Sequence, residues 1–230
     1  MRDTEAPLSG RRQEAARNDV GILDAARSVF LEDPSAPISA VAARAKVGIS
    51  ALYRRYPSKE DLLRELARDG LVRYAADLEA ALADDRDPWL VYAECLARIL
   101  DGGSQALAQR LAGTFAPTPE LSALAQRAGA LAAEVHRTAQ RHQVLRDDVD
   151  PIDVVFLLEI LSLITLPGPD GGHALRHRYL ALLLQALRAP GGGPLPSGPD
   201  PAELTGRWNK RGQSPGQHNS VTTRPGTAQR

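Results

Sequence analysis

The sequence has few of the residues that build disulfide frameworks or β-sheets. Its 230 residues include one cysteine, Cys95, which excludes an intramolecular disulfide and a cysteine-based zinc cluster. Aromatic residues make up 4% of the chain, although 43% of it is hydrophobic. Much of that hydrophobic content is alanine and leucine, which favour helices, whereas sheets are enriched in valine, isoleucine, tyrosine and phenylalanine. The composition therefore predicts an all-α fold.

Long apolar runs and targeting signals are also lacking. The longest apolar run, Val154–Leu166, is interrupted by Glu159 and is too short to cross a bilayer core of about 30 Å. The N-terminal residues, MRDTEAPLSGRR, contain no apolar core of the kind that a signal peptide needs. We therefore expect a cytoplasmic protein with no membrane partner.

Acidic residues are absent from one part of the chain. Between Ile38 and Lys59 there are five basic residues and none that is acidic. The body that follows has the opposite balance, with 13 basic and 19 acidic residues over positions 60–189. A local basic surface suits a polyanion, and an acidic body would be repelled by the same polyanion. The net charge of zero thus hides a distribution that favours oriented binding to nucleic acid.

The predicted second and third helices (37–45 and 48–56) are joined by a short turn and meet the requirements of a helix-turn-helix. Val41 and Leu52 are placed to pack across the crossing, and Ala42 is small where the two helices come closest. This packing leaves the outer side of the third helix free for a major groove. The pattern also fits a solvated helix hairpin with ordinary charges.

Hydrophobic periodicity and helix-end signals divide the chain into four segments with about nine helices. Ser58, followed three residues later by Asp61, is a capping box that begins a long fourth helix. From 190 to 230 the periodicity is absent and 15 of the 41 residues are proline or glycine, a composition typical of disorder. The predicted segments are a flexible N-terminal arm (1–13), a helix-turn-helix DNA-binding domain (14–58), a helical body (59–189) and a disordered tail (190–230).

The stretch VAARAKVGISALYRRYPSKEDLL (41–63) resembles the DNA-binding signature of the tetracycline-repressor (TetR) family, I-A-x-x-A-G-V-S-x-x-x-L-Y-x-x-F-x-S-K-E-x-L. The resemblance covers residues 18–66, and the remaining body agrees in length and helix count. It implies a cytoplasmic homodimer that represses transcription at a palindromic operator in double-stranded DNA. It also implies that the body (59–189) forms the dimer and binds a small-molecule effector, which releases the protein from DNA.

The resemblance assigns DNA contacts to particular side chains. The phosphate-anchoring positions fall on Tyr53 and Lys59, with Arg54 beside them. Candidates for contact with base edges are Ser39, Ile49, Ser50, Ala51 and Arg55. Arg55 is the main specificity candidate, because a bidentate arginine–guanine pair gives about 1–3 kcal/mol of discrimination.

Two positions depart from the family pattern. Lys46 stands where the family has a turn glycine, and a left-handed conformation there costs a lysine about 1 kcal/mol. We expect this cost to be tolerated because the ammonium group lies near the DNA backbone. Pro37 replaces the hydroxyl residue that caps the second helix, so that one phosphate contact is absent or is made by Ser39.

The body contains two strongly apolar helices, 150–167 and 173–188, that are candidates for a dimer interface. They carry more apolar surface than one subunit can cover, and two copies would form a four-helix bundle. The predicted interface residues are Val154, Leu157, Leu158, Leu161, Ile164, Tyr179, Leu182, Leu183 and Ala186.

Five side chains of the body are candidates for lining an effector pocket. They are Trp89, Tyr92, Phe115, Phe156 and Glu159. Packing in an ordinary core is the simpler explanation for each aromatic residue. Glu159 is a carboxylate on an apolar helix, and it could instead pair with an arginine across the dimer.

Metal and enzyme signatures are weak or absent. His173 and His177 share a helix face, with Asp170 close in sequence, but no third ligand has the spacing of a zinc site. No nucleophile elbow, phosphate loop or dinucleotide fingerprint occurs. We therefore predict no metal, no cofactor and no enzymatic activity. The alternatives are a regulator whose body binds a protein partner and a helical enzyme with a vestigial helix-turn-helix.

Overall fold

The computed structural model describes residues 21–103, 107, 111, 113–168 and 170–198. Within these residues it contains eight helices and no strand, and none of the helices has the length and apolar character needed to span a bilayer. The helices are α1 (21–32), α2 (Ile38–Ala45), α3 (Ile49–Arg55), α4 (Lys59–Leu82), α5 (Pro88–Gly102), α6 (Pro119–Arg141), α7 (Pro151–Ser162) and α8 (His173–Leu187). This confirms the predicted all-α fold.

The sequence predicts one helix more than these eight, between α5 and α6, and the structure describes two helical positions in that stretch. Leu107 and Leu111 are both helical and buried, and most of the remaining stretch lies outside the described residues. The predicted N-terminal arm (1–13) and residues 199–230 of the predicted tail also lie outside them.

Side-chain caps begin the four helices from α4 to α7. Ser58 accepts the N–H of Asp61 at 3.0 Å, as the capping-box pattern predicts. The corresponding caps of α5, α6 and α7 are Asp87, Thr118 and Asp150. In contrast, Pro37 and Gly48 precede α2 and α3 without a side-chain hydrogen bond to the first turn. The first N–H groups of α2 therefore lack a side-chain cap, and such groups favour anions.

The helix-turn-helix packs around its own hydrophobic core, formed by α1, α2, α3 and the first turns of α4. Val41 and Leu52 have no exposed surface, and Ala42 is 4% exposed, which confirms the predicted crossing of α2 and α3. Leu107 and Leu111, from the chain between α5 and α6, also belong to this core. The body thus contributes side chains to the packing of the N-terminal domain.

The helix α4 belongs to both parts of the molecule. Leu62 and Leu66, near its beginning, are buried in the N-terminal core, whereas Leu78 and Ala81 are buried in the core of the body. Its 24 residues extend for about 36 Å at 1.5 Å per residue. One continuous helix therefore connects the two cores without a flexible linker.

The core of the body lies among α4, α5, α6, α7 and α8 and includes the buried His136. The Nε2 atom of His136 lies 2.9 Å from the carbonyl oxygen of Val149, and its Nδ1 atom lies 3.4 Å from the hydroxyl of Tyr92. Burial lowers the pKa of His136, because the charged imidazolium would lose its hydration. A neutral His136 therefore joins α5 and α6 to the loop that precedes α7.

The chain that follows α8 contacts the loop between α6 and α7. The Arg146 guanidinium donates to the carbonyl of Gly193 at 2.9 Å, and the Leu195 N–H donates to the Asp148 carboxylate at 3.1 Å. These bonds fasten the segment to the loop between α6 and α7. The disorder of the tail from position 190 stays a prediction, and two of its described residues, Gly193 and Leu195, are hydrogen-bonded to this loop.

The predicted dimer residues of α7 fall mainly in the core of their own subunit. Val154, Leu158 and Leu161 are at most 7% exposed and pack within the body, so they offer little surface to a second copy. The exposed large apolar residues here are Ile160 on α7 and Leu163, which directly follows its last residue. The structure thus corrects which side of α7 faces outwards.

The predicted dimer residues of α8 agree better with the structure. Tyr179, Leu182 and Ala186 are exposed, and they follow one another at the spacing of a single helix face. Leu183 is half-buried against the core of the body, as are Leu157 of α7 and Ile164, which follows α7. The helices α7 and α8 contact each other, and both carry exposed apolar side chains.

Candidate nucleic-acid interface

The helix α3 has one buried residue and is otherwise open to solvent. Leu52 anchors it in the N-terminal core, while the other six of its seven residues are exposed. Tyr53, at 47% exposure, and Ile49, at 40%, are large side chains left outside the core. The remaining exposed residues of α3 are Ser50, Ala51, Arg54 and Arg55. All six were predicted from the sequence as contacts to DNA.

The helix α2 contacts α3, and its first turn carries the exposed Ser39. Ser39 lies in the first turn of α2, next to the N–H groups that no side chain caps. A hydroxyl and free N–H groups in one helical turn can both donate to a phosphate oxygen. The geometry is therefore compatible with Ser39 in place of the hydroxyl that Pro37 replaces.

Lys46 has the left-handed conformation that the sequence predicts at the turn. Its φ and ψ are 56° and 37°. Its N–H donates to the carbonyl of Ala43 at 3.2 Å, and the N–H of Val47 donates to that of Ala42 at 3.0 Å. This pair of bonds is a Schellman motif, which ends a helix through a left-handed residue. Lys46 therefore occupies a glycine-type position with its side chain exposed.

Arg44, one of the five basic residues of the helix-turn-helix, is used inside the protein. Its guanidinium binds both carboxylate oxygens of Glu32, at 2.9 and 3.2 Å, and fastens α2 to the end of α1. This contact lowers the pKa of Glu32, because hydrogen bonds from a cation favour the charged carboxylate. By contrast, Lys46 and Arg54 form no ion pair with any residue that the structure describes.

Lys59 was predicted to anchor a phosphate, and its ammonium group already has partners in the chain. It donates to the carbonyl oxygens of Pro34, Ser35 and Ala36 at 3.2, 3.1 and 2.8 Å. It also lies 5.2 Å from the ring centroid of Phe30. Three donors on an ammonium group match three acceptors. Lys59 therefore fastens α4 to the loop between α1 and α2, and its phosphate contact stays a prediction.

Of the five predicted pocket residues, Trp89 and Tyr92 are neighbours, with ring centroids 6.2 Å apart, and Phe115 belongs to a different core from them. Phe115 packs against the N-terminal core, whereas Trp89 and Tyr92 pack in the body. Phe156 is half-buried and Glu159 is 1% exposed on α7. Phe115 is therefore corrected to a residue of the contact between body and DNA-binding domain. The sequence does not predict this contact of Phe115, because the segment between α5 and α6 leaves the core of the body and packs against the N-terminal core.

Two clefts open on the surface of the body. The first, of about 300 Å³, lies beside Tyr92 between α4, α5 and α6, with Asp85 and His142 at its edge. The second, of about 580 Å³, lies between α7, α8 and the segment after α8, and Leu157 and Leu183 line it. Tyr92 is the predicted pocket residue that lines one of these two clefts.

The structure also assembles a cluster that sequence spacing does not reveal. Asp101 at the end of α5 lies beside His173 and His177 at the beginning of α8. The two histidines were paired by their spacing, but Asp101 is remote in the chain. Only the packing of α5 against α8 brings the third polar side chain to them.

Comparison with known proteins gives a consistent result for the N-terminal domain. Residues 22–66 match the model for bacterial regulatory proteins of the tetR family. The HTH-type transcriptional repressor LfrR of Mycolicibacterium smegmatis is 41% identical over 80 residues, which are 35% of this chain and 38% of LfrR. The chain thus matches well under half the length of that curated relative.

Solved structures extend the similarity to the body. The TetR transcriptional regulator SCO0520 from Streptomyces coelicolor has a TM-score of 0.55 and 26% identity, over 74% of this chain and 98% of that one. The structure of LfrR from Mycobacterium smegmatis in complex with proflavine also has a TM-score of 0.55 and 26% identity, over 78% and 99% of the two chains. The N-terminal domain thus matches the tetR family model over residues 22–66, and the chain as a whole has the fold of solved TetR-type regulators.

Proposed function

We propose that this protein is a cytoplasmic repressor that binds a palindromic operator as a homodimer and leaves it when a small-molecule effector binds the body. The observation that carries the proposal is α3, in which Leu52 alone is buried and six residues of DNA-binding type are exposed. A helix held by one anchor, with its outer side free, has the shape needed to enter a major groove.

Charge supports the same orientation. Lys46 and Arg54 are exposed beside α3, and neither forms an ion pair with a described residue. The body, in contrast, has six more acidic than basic residues over positions 60–189. Cations at the helix-turn-helix would neutralise phosphates and release counterions, while the body would be repelled by the duplex.

The exposed apolar side chains of α7 and α8 support a homodimer. Ile160, Leu163, Tyr179 and Leu182 are each at least 43% exposed. Exposed apolar residues grouped on neighbouring helices indicate an interaction surface, and a two-fold dimer uses the same surface on both copies. Two copies of α7 and α8 would then form a four-helix bundle.

Contacts between the body and the DNA-binding domain support control by an effector. The Arg64 Nε donates to the carbonyl of Ala116 at 3.1 Å, and the Ala116 N–H donates to the Glu60 carboxylate at 3.2 Å. Phe115 packs against the N-terminal core beside them. An effector that prefers a different arrangement of this segment would shift the position of α4, in proportion to its differential affinity for the two states.

The first test is the selection of binding sites from a random duplex library by the purified full-length protein. We expect an enriched palindrome whose half-sites lie about one helical turn apart. The Arg55→Ala variant should relax one base position in each half-site, because it removes an arginine that can pair with guanine. Arg137→Ala is the matched control, since Arg137 is an exposed arginine of α6 and lies outside the helix-turn-helix.

The outcomes of this selection separate the possibilities. A palindrome that is relaxed by Arg55→Ala and unchanged by Arg137→Ala supports a dimeric DNA-binding regulator. Enrichment of no sequence, with binding that depends on salt alone, contradicts sequence-specific recognition by α3. A single asymmetric half-site contradicts the homodimer while leaving DNA recognition intact.

Release by an effector is tested on the selected duplex. LfrR binds proflavine in its solved structure, so proflavine is the first compound to try. We expect the fluorescence anisotropy of labelled duplex to fall as effector is added, and to recover when more protein is added. Because proflavine also binds DNA on its own, the control is an unrelated helix-turn-helix protein on its own duplex. Loss of both complexes at the same proflavine concentration would contradict effector binding by the body.

A further inference from the structure

Three side chains with metal-binding atoms meet where α5 ends and α8 begins. The Nε2 atom of His177 lies 2.7 Å from Oδ1 of Asp101, and the Nε2 atom of His173 lies 3.2 Å from the same oxygen. The two imidazole rings are 4.3 Å apart and tilted by 32°. The three ligand atoms all lie within 4.8 Å of one another. The cluster therefore offers two imidazole nitrogens and one carboxylate oxygen to a common point.

This arrangement is close to the one that a small divalent ion requires. Zn–N and Zn–O distances of about 2.0–2.2 Å place neighbouring tetrahedral ligands about 3.3 Å apart. The pair formed by His173 and Asp101, at 3.2 Å, already has this separation. The pair formed by His177 and Asp101, at 2.7 Å, has to open by about 0.6 Å to match it. All three side chains are at least one-third exposed, so small rotations can supply that change.

The positions of the ligands in the fold favour a specific site. His173 and His177 are one turn apart on α8, so their side chains lie on the same face of one rigid helix. Asp101 comes from a different helix, which fixes the direction of its carboxylate relative to the histidines. Asp170 adds a fourth polar group, with Oδ1 at 3.9 Å from Nδ1 of His173. A carboxylate near the second ring nitrogen commonly orients a metal-binding histidine.

We propose that Asp101, His173 and His177 form a binding site for one divalent transition-metal ion of the zinc, cobalt and nickel type. The ion takes Nε2 of each histidine and one oxygen of Asp101, and water completes its coordination. Both imidazoles bind as neutral bases, so each gives up the Nε2 proton that it shares with Asp101. The bound ion fastens α5 to α8. This site is separate from α3, and its existence does not depend on the proposed operator.

The test is a titration of full-length protein, purified without a histidine tag, with Co²⁺ followed by visible absorption and with Zn²⁺ followed by calorimetry. We expect one ion per chain and a visible d–d band from bound cobalt. His173→Ala, His177→Ala and Asp101→Ala should each weaken binding at least about 10-fold, since each removes a ligand. The control is His142→Ala, because His142 is exposed and lies beyond the end of α6.

A second measurement separates lost ligands from lost folding. The three exposed substitutions should keep the helical circular dichroism of the parent without metal. Zn²⁺ should raise the melting temperature of the parent and of His142→Ala, and it should leave that of His177→Ala unchanged. Binding that is equal in the parent and in the three cluster variants would overturn the proposal, as would no binding at about 100 μM ion. The cluster would then be a hydrogen-bonded contact between two helices.

Discussion

Lys46 combines a left-handed backbone with an exposed side chain at the helix-turn-helix. Its left-handed backbone is one that glycine adopts more readily, and the difference is about 1 kcal/mol. We predict that Lys46→Gly raises the free energy of unfolding by about this amount, as measured by urea denaturation. The same substitution should reduce the salt dependence of DNA binding by about one phosphate contact.

The two measurements on Lys46→Gly have to agree for the explanation to hold. A more stable variant with a reduced salt slope supports a lysine kept for its charge. A variant that binds the selected duplex more tightly with an unchanged salt slope would show that the Lys46 ammonium does not approach DNA. Arg44→Gly cannot serve as the control for Lys46→Gly, because it would also remove the ion pair between Arg44 and Glu32.

His136 provides a prediction about acid stability. Burial lowers its pKa in the folded chain, whereas the unfolded chain has an ordinary histidine pKa of about 6.5. Above pH 6.5 both states are neutral, and the contribution of His136 to stability is fully present. As the pH falls below about 6.5, the unfolded chain binds a proton that the folded chain does not, and the contribution is progressively lost.

The variant His136→Gln tests this direction. Its amide can still donate to the carbonyl oxygen of Val149, but it cannot titrate. The less favourable hydrogen bond should lower the free energy of unfolding by about 1 kcal/mol at pH 7.5. Because only the parent loses the histidine contribution in acid, the stability difference between parent and variant should shrink between about pH 7 and pH 5. A difference that stays constant or grows over this range would mean that His136 is not held neutral. Urea denaturation at each pH provides the measurement.

Among the helices of the DNA-binding domain, Lys59 and Arg54 are expected to have different roles: Lys59 supports the fold, and Arg54 contacts DNA. Lys59 holds α4 to the loop before α2 through three carbonyl oxygens. We predict that Lys59→Met lowers the free energy of unfolding by about 2 kcal/mol, because hydrogen bonds from a charged group are lost. Arg54→Met, on exposed α3, should leave stability unchanged and lower the salt slope of DNA binding by about 0.9.

Two outcomes would contradict the roles expected for Lys59 and Arg54. A Lys59→Met variant of unchanged stability, with a reduced salt slope, would return Lys59 to the phosphate role that the family resemblance implies. An Arg54→Met variant with a full salt slope would remove Arg54 from the interface. Salt titrations on the selected duplex and urea denaturation of the free protein give both quantities.

The elements also show which parts of the structure a sequence can predict. Local signals placed the cap at Ser58, the turn at Lys46 and the crossing of Val41 with Leu52, because each depends on residues close in the chain. The outward face of α7 could not be predicted in the same way. That helix is apolar on almost every side, so periodicity does not distinguish Ile160, which is exposed, from Leu161, which is buried.

Remote partners explain the other differences. Three contacts depend on how helices pack against one another. Arg44 binds Glu32, Lys59 binds the loop before α2, and Asp101 binds the two histidines. The hydrogen bonds of Gly193 and Leu195 to the loop between α6 and α7 are a further case, since the proline and glycine content of that segment gives no sign of them. In each case the information lies in tertiary structure, which the sequence pattern of a single element does not contain.

In the whole molecule, binding to a palindrome requires a dimer, which we propose forms through α7 and α8. Ile160 is 60% exposed on α7, and a charge there would be buried without a partner in the dimer. We predict that Ile160→Glu sediments as a folded monomer at concentrations where the parent is dimeric, and that it binds the palindrome more weakly. Leu90→Glu is the matched control, because Leu90 is 44% exposed on α5, which is not one of the two helices of the proposed interface.

Sedimentation velocity separates these outcomes. An Ile160→Glu variant that remains dimeric, with a Leu90→Glu variant that dissociates, would move the interface to another face of the body. A parent protein that is monomeric both alone and on DNA would remove the dimer from the proposal. The circular dichroism of both variants should match the parent, since neither side chain belongs to a core.

The reading of the major groove by α3 of each subunit can be tested by methylation protection on the selected duplex. Dimethyl sulfate modifies guanine N7, which lies in the major groove. We predict two protected patches on one face of the duplex, centred about 10 base pairs apart or a multiple of that distance, with one guanine per half-site exposed again in Arg55→Ala. Protection confined to adenine N3 in the minor groove, or one patch without two-fold symmetry, would contradict the claim.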